Sequence, residues 1–203
     1  MKLGTALLGR LTSPAGLVLA GLCFLLPFVS VSCASGPPEE HFEMTVSYSG
    51  KDLVVGGWPD LNYVDSRQTV DETDLRRSPA DGTPLAPFPV EPFAVAVVTL
   101  LAVGIVAALI RKAEPRQLAV ATVALVSAVL LVGAEVRGRN EAARQLVPYT
   151  GATIEQLRDR IDLARGFWLA LAALLAVGCG NIVRYVWHAR PTGASRPAPA
   201  DAG

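Results

Sequence analysis

The side chains that could carry chemistry in this chain of 203 residues are few and scattered. The two histidines are His41 and His188, and the three cysteines are Cys23, Cys33 and Cys179, with no CxxC spacing among them. A nucleophilic or metal site needs several such groups at a characteristic spacing. The sequence therefore predicts no catalytic residue, no metal site and no cofactor, and we expect a protein that is not an enzyme.

A short acidic strip, Asp71-Glu72 with Asp74, superficially resembles a cation site. Calcium loops place their oxygen ligands around glycine turns, and no such glycine pattern surrounds these acids. We interpret the strip as solvated surface.

Four long apolar runs dominate the chain, and none contains Lys, Arg, Asp, Glu or His: Pro14–Cys33, Pro92–Ile110, Leu118–Ala134 and Gly166–Val183. Crossing the hydrocarbon core of a bilayer takes roughly 17–25 apolar residues. The runs predict an all-α membrane protein, a four-helix transmembrane bundle. Uncharged spans argue against ion coupling, and zero net charge gives no sign of nucleic-acid binding.

Orientation follows from the basic residues beside the runs, because cytoplasmic loops carry an excess of Lys and Arg. The seven-residue link Arg111–Gln117 contains three bases, and the first loop carries eleven acids against four bases. These charges predict a multi-pass protein of the cell membrane with both termini in the cytoplasm. The third loop opposes this orientation slightly, with six Arg against five acids. The predicted order is cytoplasmic 1–13, span 14–33, outer acidic loop 34–91, span 92–110, cytoplasmic link 111–117, span 118–134, outer helical hairpin 135–165, span 166–187 and disordered cytoplasmic tail 188–203.

The first run allows two other interpretations. Ser32-Cys33-Ala34 resembles a signal-peptidase site, so the run could be a cleaved signal peptide. A lipoprotein with Cys33 as the modified residue is less favoured, because leucine is missing three residues before it. The run is long for a signal peptide and contains Pro27, which we expect to kink a helix. An uncleaved span is favoured, and every alternative leaves the first loop outside.

The first loop contains a period-two pattern, with apolar side chains at alternate positions from Phe42 to Tyr48. We expect a small β-hairpin here, with a turn over Ser49–Asp52 and a returning strand over Leu53–Val55. Trp58 and Tyr63 either cover the apolar face of this hairpin or form a surface for a partner, and the covering role is favoured.

The third loop is predicted to be helical. The third helix is expected to continue to Leu146 and the chain to reverse over Pro148–Gly151. Thr153 and Gln156 have the spacing of a capping box. The helix that they begin is expected to run straight into the fourth span.

Small residues recur every four positions in the fourth run, at Ala172, Ala176 and Gly180, followed by the polar Asn181. Small residues on one face let membrane helices approach closely, so this set predicts a packing surface. The same spacing occurs at Gly104 and Ala108 in the second run and at Ala124 and Ala128 in the third, although an Ala-rich composition yields such spacings by chance.

The stretch Leu26–Cys33, followed by Tyr48–Leu53 and then Gly56-Gly57, resembles a pattern in small four-span membrane proteins of actinobacteria whose function is uncharacterised. The resemblance implies a bacterial membrane protein with an outward loop. It transfers no catalytic or binding residue.

Two functions remain open. In the first, the protein is a non-enzymatic scaffold or sensor that binds an envelope protein through its outer loops, which hold almost half of the residues. In the second, it is a small transporter or pore for uncharged or apolar molecules, formed as a homo-oligomer. Both assign the lipid bilayer as the surroundings of the helices and neither involves nucleic acid.

Overall fold

The computed structural model of the chain describes residues 2–35, 42–65, 87–110, 112–150, 153–158 and 160–189. It is mostly helical, with a small antiparallel sheet at one end of the long helices. The elements in chain order are α1 (Lys2–Cys23), β1 (Pro27–Ser35), β2 (Phe42–Ser49), α2 (Gly50–Val55), β3 (Asp60–Asp65), α3 (Pro92–Ala108), α4 (Ala113–Thr150), α5 (Ile154–Arg158), β4 (Ile161–Leu163) and α6 (Arg165–Ala189).

The sheet joins two distant parts of the chain. Its strand order is β3-β2-β1-β4, and each neighbouring pair is antiparallel. Val31 of β1 pairs with Val46 on one side and with Ile161 of β4 on the other. The first and third loops of the sequence therefore meet in one sheet.

One face of the sheet is part of the apolar core. Val29 and Val31 of β1 and Val46 and Tyr48 of β2 are all buried, with polar residues between them. Phe28 is buried as well, because the register shifts between Pro27 and Val29. Because of this β-bulge, the consecutive side chains of Phe28 and Val29 both enter the core.

Two helices are long and apolar enough to span a membrane by length and composition, over Pro115–Val147 within α4 and Arg165–Trp187 within α6. The apolar parts of α1 and α3 are shorter, Ser13–Cys23 and Pro92–Ala108. Helix α4 packs along both α3 and α6, while α1 packs on α6 and α3. The mostly helical fold is thus confirmed, as is the presence of β-structure after the first run.

The predicted helix over Pro14–Cys33 is wrong in both its limits. The helix already begins at Lys2 and ends at Cys23, and Pro27 starts β1 instead of kinking a helix. Proline disfavours helical dihedrals in the preceding residue, and the alternation of Val29 and Val31 with serines is a strand pattern. The length of the apolar run hid this change of period.

The predicted hairpin is correct in its first strand and wrong in its return. Strand β2 covers Phe42–Ser49, but the residues after it form α2 rather than a turn and a strand. Ser49 and Asp52 form a capping box that starts this helix. The strand that pairs with β2 is β3, five residues after α2 ends.

In the third loop, the predicted helical continuation of α4 is confirmed. The helix extends to Thr150, so the chain does not yet reverse at Pro148, where the reversal was predicted to begin. The capping box is also confirmed, because Thr153 N donates to Gln156 Oε1 at 3.1 Å and Gln156 N donates to Thr153 Oγ1 at 3.4 Å. The helix that follows is only α5, and β4 separates it from α6. The expectation of one continuous helix into the fourth span is therefore wrong.

Helix α2 docks against the end of α1 through a glycine. Gly50 N donates to Leu26 O at 3.3 Å and Lys51 N donates to Phe24 O at 2.7 Å. A Cβ added at Gly50 would lie 2.8 Å from Phe24 Cα, which is backbone and cannot turn away. Glycine is therefore required at this position for the contact.

We expect Gly50→Ala to lower the free energy of unfolding by about 1–3 kcal/mol, the usual cost of overpacking. Gly138→Ala is the matched control, because its Cβ would meet Leu53 Cδ2 at an ordinary 3.5 Å in a helix interior. Alanine there should raise stability by up to about 1 kcal/mol. The measurement is the melting temperature of each variant in the same detergent. Equal effects of the two substitutions would contradict the docking.

Candidate functional site

The surface around α2, at the sheet end of the long helices, is built by the capping box. Asp52 Oδ2 accepts hydrogen bonds from Ser49 N at 2.9 Å and Ser49 Oγ at 2.6 Å, and Asp52 N donates to Ser49 Oγ at 3.3 Å. Asp52 is only 8% exposed. Its carboxylate is therefore occupied with holding the start of the helix.

Two glycines then turn the chain away from α2. Gly56 has a φ of 71°, a conformation that glycine adopts without strain. A Cβ at Gly57 would lie 2.5 Å from Asp52 Oδ1, so the backbone of Gly57 packs directly on that carboxylate. Phe88 N donates to Gly57 O at 2.7 Å, which ties this turn to the segment before α3.

A cleft of about 410 Å³ opens beside these residues. It lies in the loop that the sequence predicts to be outside, so we call it the outer cleft. Lys51 and Asp60 on its rim are exposed, so it presents charges of both signs. It is lined by Leu25, Ser49, Lys51, Asp52, Gly56, Gly57, Trp58 and Asp60.

Of the two aromatic residues assigned to a partner surface, Trp58 lies in the outer cleft and is 45% exposed. Tyr63 lies in β3, where its backbone pairs with Met44. Trp58 therefore contributes exposed aromatic surface to this cleft.

Glu91 ties the outer cleft region to the helices. Its backbone N donates to Leu53 O at 2.8 Å, and its Oε1 accepts from Phe93 N at 3.4 Å at the start of α3. The same oxygen lies 3.4 Å from Arg137 Nε on α4, and that guanidinium lies 5.4 Å from the centre of the Phe93 ring. Glu91 thus connects α2 through its backbone N and α3 and α4 through its buried carboxylate, a role that the sequence patterns did not reveal.

The three small residues of the predicted packing surface on the fourth run are exposed in the described part of the chain, so their packing role stays a prediction. Ala172, Ala176 and Gly180 lie on the exposed side of α6, and a Cβ at Gly180 would meet no atom within 4 Å. The close contacts form instead at Gly16, whose added Cβ would overlap Val177 Cγ2, and at Gly178, where it would lie 2.9 Å from Leu125 Cδ2.

On the other two helices, the predicted small residues are buried: Gly104, Ala108, Ala124 and Ala128. A Cβ at Gly104 would lie 2.9 Å from Val123 Cγ1 and 3.0 Å from Leu17 Cδ1. Gly104 therefore lies where α1, α3 and α4 meet.

Asn181 is 4% exposed and bridges two helices. Its Oδ1 accepts from Ser13 Oγ of α1 at 3.0 Å, and its Nδ2 donates to Val177 O at 2.8 Å. Beside this bridge runs a groove of about 260 Å³ between α1 and α6, which we call the α1–α6 groove. It is lined by Ser13, Gly16, Leu19, Ala173, Ala176, Val177, Gly180, Asn181 and Arg184.

Three polar side chains of α4 are buried and have atoms without a hydrogen-bond partner within the described residues: Gln117, Ser127 and Glu135. Glu135 is the most unusual, since both of its carboxyl oxygens lack a partner and only 4% of the residue is exposed. In the sequence, Glu135 falls at the start of the predicted outer hairpin, where it was assigned no role. The feature that could have identified it is its position immediately after the uncharged run Leu118–Ala134.

Within the described ranges, no three His, Cys, Asp or Glu side chains lie close enough to hold a metal ion. The acidic strip at Asp71, Glu72 and Asp74 lies outside the described residues. The described geometry contains two depressions of interest, the outer cleft beside the sheet and the α1–α6 groove. No protein-family model matches the chain, and no curated protein sequence matches it.

The contacts of α6 lead to a paired test. Gly16→Leu should lower the free energy of unfolding by about 1–3 kcal/mol, because the new side chain must displace Val177. Gly180→Leu should leave stability almost unchanged, since its side chain enters open space. Melting temperatures in detergent without added phospholipid would measure both. A larger loss at Gly180 than at Gly16 would restore the packing surface that the sequence predicted.

Proposed function

We propose that the chain is a four-span membrane protein, with α1, α3, α4 and α6 as spans and both termini in the cytoplasm. We further propose that it is a non-enzymatic scaffold or sensor that binds an envelope protein partner through its outer surface. The observation that carries the placement is the pairing of β1 with β4. This pairing brings the end of α1, the end of α4 and the start of α6 to one side of the molecule. If α3 and α4 both cross the membrane between the first and third loops, the two loops must lie on the same side, as this pairing has them.

The distribution of apolar side chains supports this placement. The interior contains many alanines, such as Ala20, Ala94, Ala124 and Ala170, beside buried leucines and valines. All four helices also expose many large aliphatic side chains, and soluble monomers rarely expose apolar surface on this scale. The exposed set includes Val18, Leu19, Leu22, Val98, Val103, Val106, Val126, Val129, Val132, Leu169, Leu175, Ile182 and Val183.

Helix lengths fit the same arrangement. The shortest of the four, α3, has 17 residues, and α1 has 22. At 1.5 Å per residue α3 extends about 25 Å and the whole of α1, which includes Lys2 and Arg10, about 33 Å, against a hydrocarbon core of about 30 Å. Leu109 and Ile110 continue the apolar surface beyond α3.

The packing of the first helix favours an uncleaved span over a signal peptide. Strand β1 lies between β2 and β4, so cleavage near Cys33 would remove an inner strand of the sheet. Leu17 and Ala20 of α1 are fully buried against the other helices. A removed segment would leave these contacts empty.

We expect single cysteines at Lys51 and Glu155 to react together with a membrane-impermeant maleimide in intact cells, while a cysteine at Lys112 does not. All three native residues are exposed, and the native cysteines would first be replaced. Permeabilised cells provide the control for reactivity at 112. Labelling at 112 alone would reverse the orientation, and opposite results at 51 and 155 would overturn the placement of both loops on one side.

The partner surface is assigned to the outer cleft because Trp58 lies there beside exposed charges. Aromatic side chains with polar neighbours are typical of protein-binding surfaces. A scaffold is favoured over a transporter because the described helices approach one another closely at Gly16, Gly104 and Gly178. Such contacts fill the space between helices rather than open a passage.

A photocrosslinking amino acid at position 58, introduced in the native host, should capture a defined envelope protein. The same group at Glu155, which is exposed in a different cleft, is the matched control. Charge reversal at Asp60 should reduce the adduct at 58, because the rim charges contribute to the contact. Identical adducts from 58 and 155, or none from 58, would contradict the proposed partner surface.

A further inference from the structure

We propose that Glu135 and Arg139 form a pH-sensitive switch that controls the attachment of α5 and β4 to α4. In the attached state Glu135 is neutral and Arg139 binds backbone carbonyls of α5 and β4. In the released state Glu135 is ionised and takes the guanidinium of Arg139 away from those carbonyls. The switch does not depend on the proposed outer partner.

Glu135 is a buried carboxyl group without a partner. Only 4% of the residue is exposed, and neither carboxyl oxygen has a hydrogen-bond partner among the described residues. Removing a charged carboxylate from water without a compensating partner is costly, so burial of this kind favours the neutral acid. The described arrangement is therefore the one that suits a protonated Glu135.

Arg139 lies one turn further along α4 and attaches the next part of the chain to this helix. Its Nη2 donates to Arg158 O at 3.1 Å and to Ile161 O at 2.9 Å. These carbonyls belong to the last residue of α5 and the first residue of β4. Because β4 pairs with β1 over only three residues, the bonds to Arg139 contribute to holding it in place.

Ionisation of Glu135 gives Arg139 a second acceptor. Residues four apart are neighbours on a helix surface, and an acid that precedes its base by four positions is the favoured order. A guanidinium binds a carboxylate more strongly than it binds neutral carbonyl oxygens. With Nη2 at the two carbonyls, the oxygens of Glu135 stay unpaired, so the guanidinium must turn to reach them. It turns beside a cleft of about 370 Å³ that is lined by Val136, Arg139, Glu155 and Arg158.

Arg139 is the charge that acts on Glu135 electrostatically. Strand β1, which also packs against α4, contains no charged residue. The nearby charges on α4 and α3 are engaged with one another, as the pairs Arg137–Glu91 and Arg144–Glu141. The charges near the opposite ends of α4 and α6 are Lys112, Glu114, Arg116, Arg184 and His188. The remaining described charges on α5, β4 and the start of α6 are exposed: Glu155, Arg158, Arg160, Asp162 and Arg165.

The sign of the response follows from which state holds the proton. The attached state contains the neutral acid, so it binds a proton that the released state has lost. Attachment of α5 and β4 is therefore strongest in acid and is lost as the pH rises through the range in which Glu135 ionises.

The test is hydrogen exchange of the full chain in detergent, read by mass spectrometry at about pH 5 and about pH 9 and corrected for the pH dependence of the exchange chemistry itself. The amides between Ile154 and Ala164 report the attachment. In the wild type their protection should be lower at the higher pH by about tenfold, the effect expected for losing a hydrogen bond to a charged group.

Glu135→Gln keeps the shape of the side chain and cannot ionise, so its amides between Ile154 and Ala164 should stay protected at both pH values. Arg139→Gln should show the weaker protection at both. Glu141→Gln is the matched control, because it removes a carboxyl from the same helix that is paired with Arg144 at the surface. This control should keep the pH response of the wild type.

Equal protection of these amides at the two pH values in the wild type would overturn the switch. A pH response that persists in Glu135→Gln would overturn it too, because another group would then be titrating. So would a loss of protection that extends along all the helices at the higher pH, since that result shows general unfolding instead of local release. The absence of an adduct at position 58 would contradict the partner surface alone and leave the switch standing.

Discussion

The structure depends on satisfying backbone hydrogen bonds where the long helices end against the sheet. The last carbonyls of a helix lack partners within that helix, and an unpaired buried polar group is costly. Here the carbonyls of Gly21, Leu22 and Cys23 at the end of α1 accept from the amides of the turn Phe24–Leu26. The carbonyls of Phe24 and Leu26 in this turn accept instead from the first amides of α2. Ala164 N donates to Phe28 O just before α6 begins. These bonds fix where each helix leaves the sheet.

This constraint couples the outer surface to the helices. Gly50 fixes the position of α2 against the end of α1. Glu91 then links α2 to α3 and α4, because its backbone N donates to Leu53 O and its carboxylate contacts Arg137. Strand β4 carries the same sheet to α6. A movement of the residues around the outer cleft would therefore be transmitted to α1, α3, α4 and α6 together.

The sequence predicted the features that have a fixed period or a local signature. These include three of the four apolar helices, the strand β2 and the capping box at Thr153. It failed where two periods share one apolar run, because total hydrophobicity from Pro14 to Cys33 concealed the change from helix to strand at Pro27. It also failed at α2, where the Ser49 and Asp52 box lay inside a stretch interpreted as a turn. The pairing of β1 with β4 could not be predicted, since it joins residues about 130 positions apart and depends on tertiary packing.

The small residues of α6 show why spacing alone cannot assign a contact. Ala172, Ala176 and Gly180 have the spacing of a helix interface, yet α1 crosses α6 at Val177 because Gly16 supplies the missing volume from the other side. A close approach needs a small residue on only one of the two helices, so it leaves the small residues on the next face of α6 uncovered.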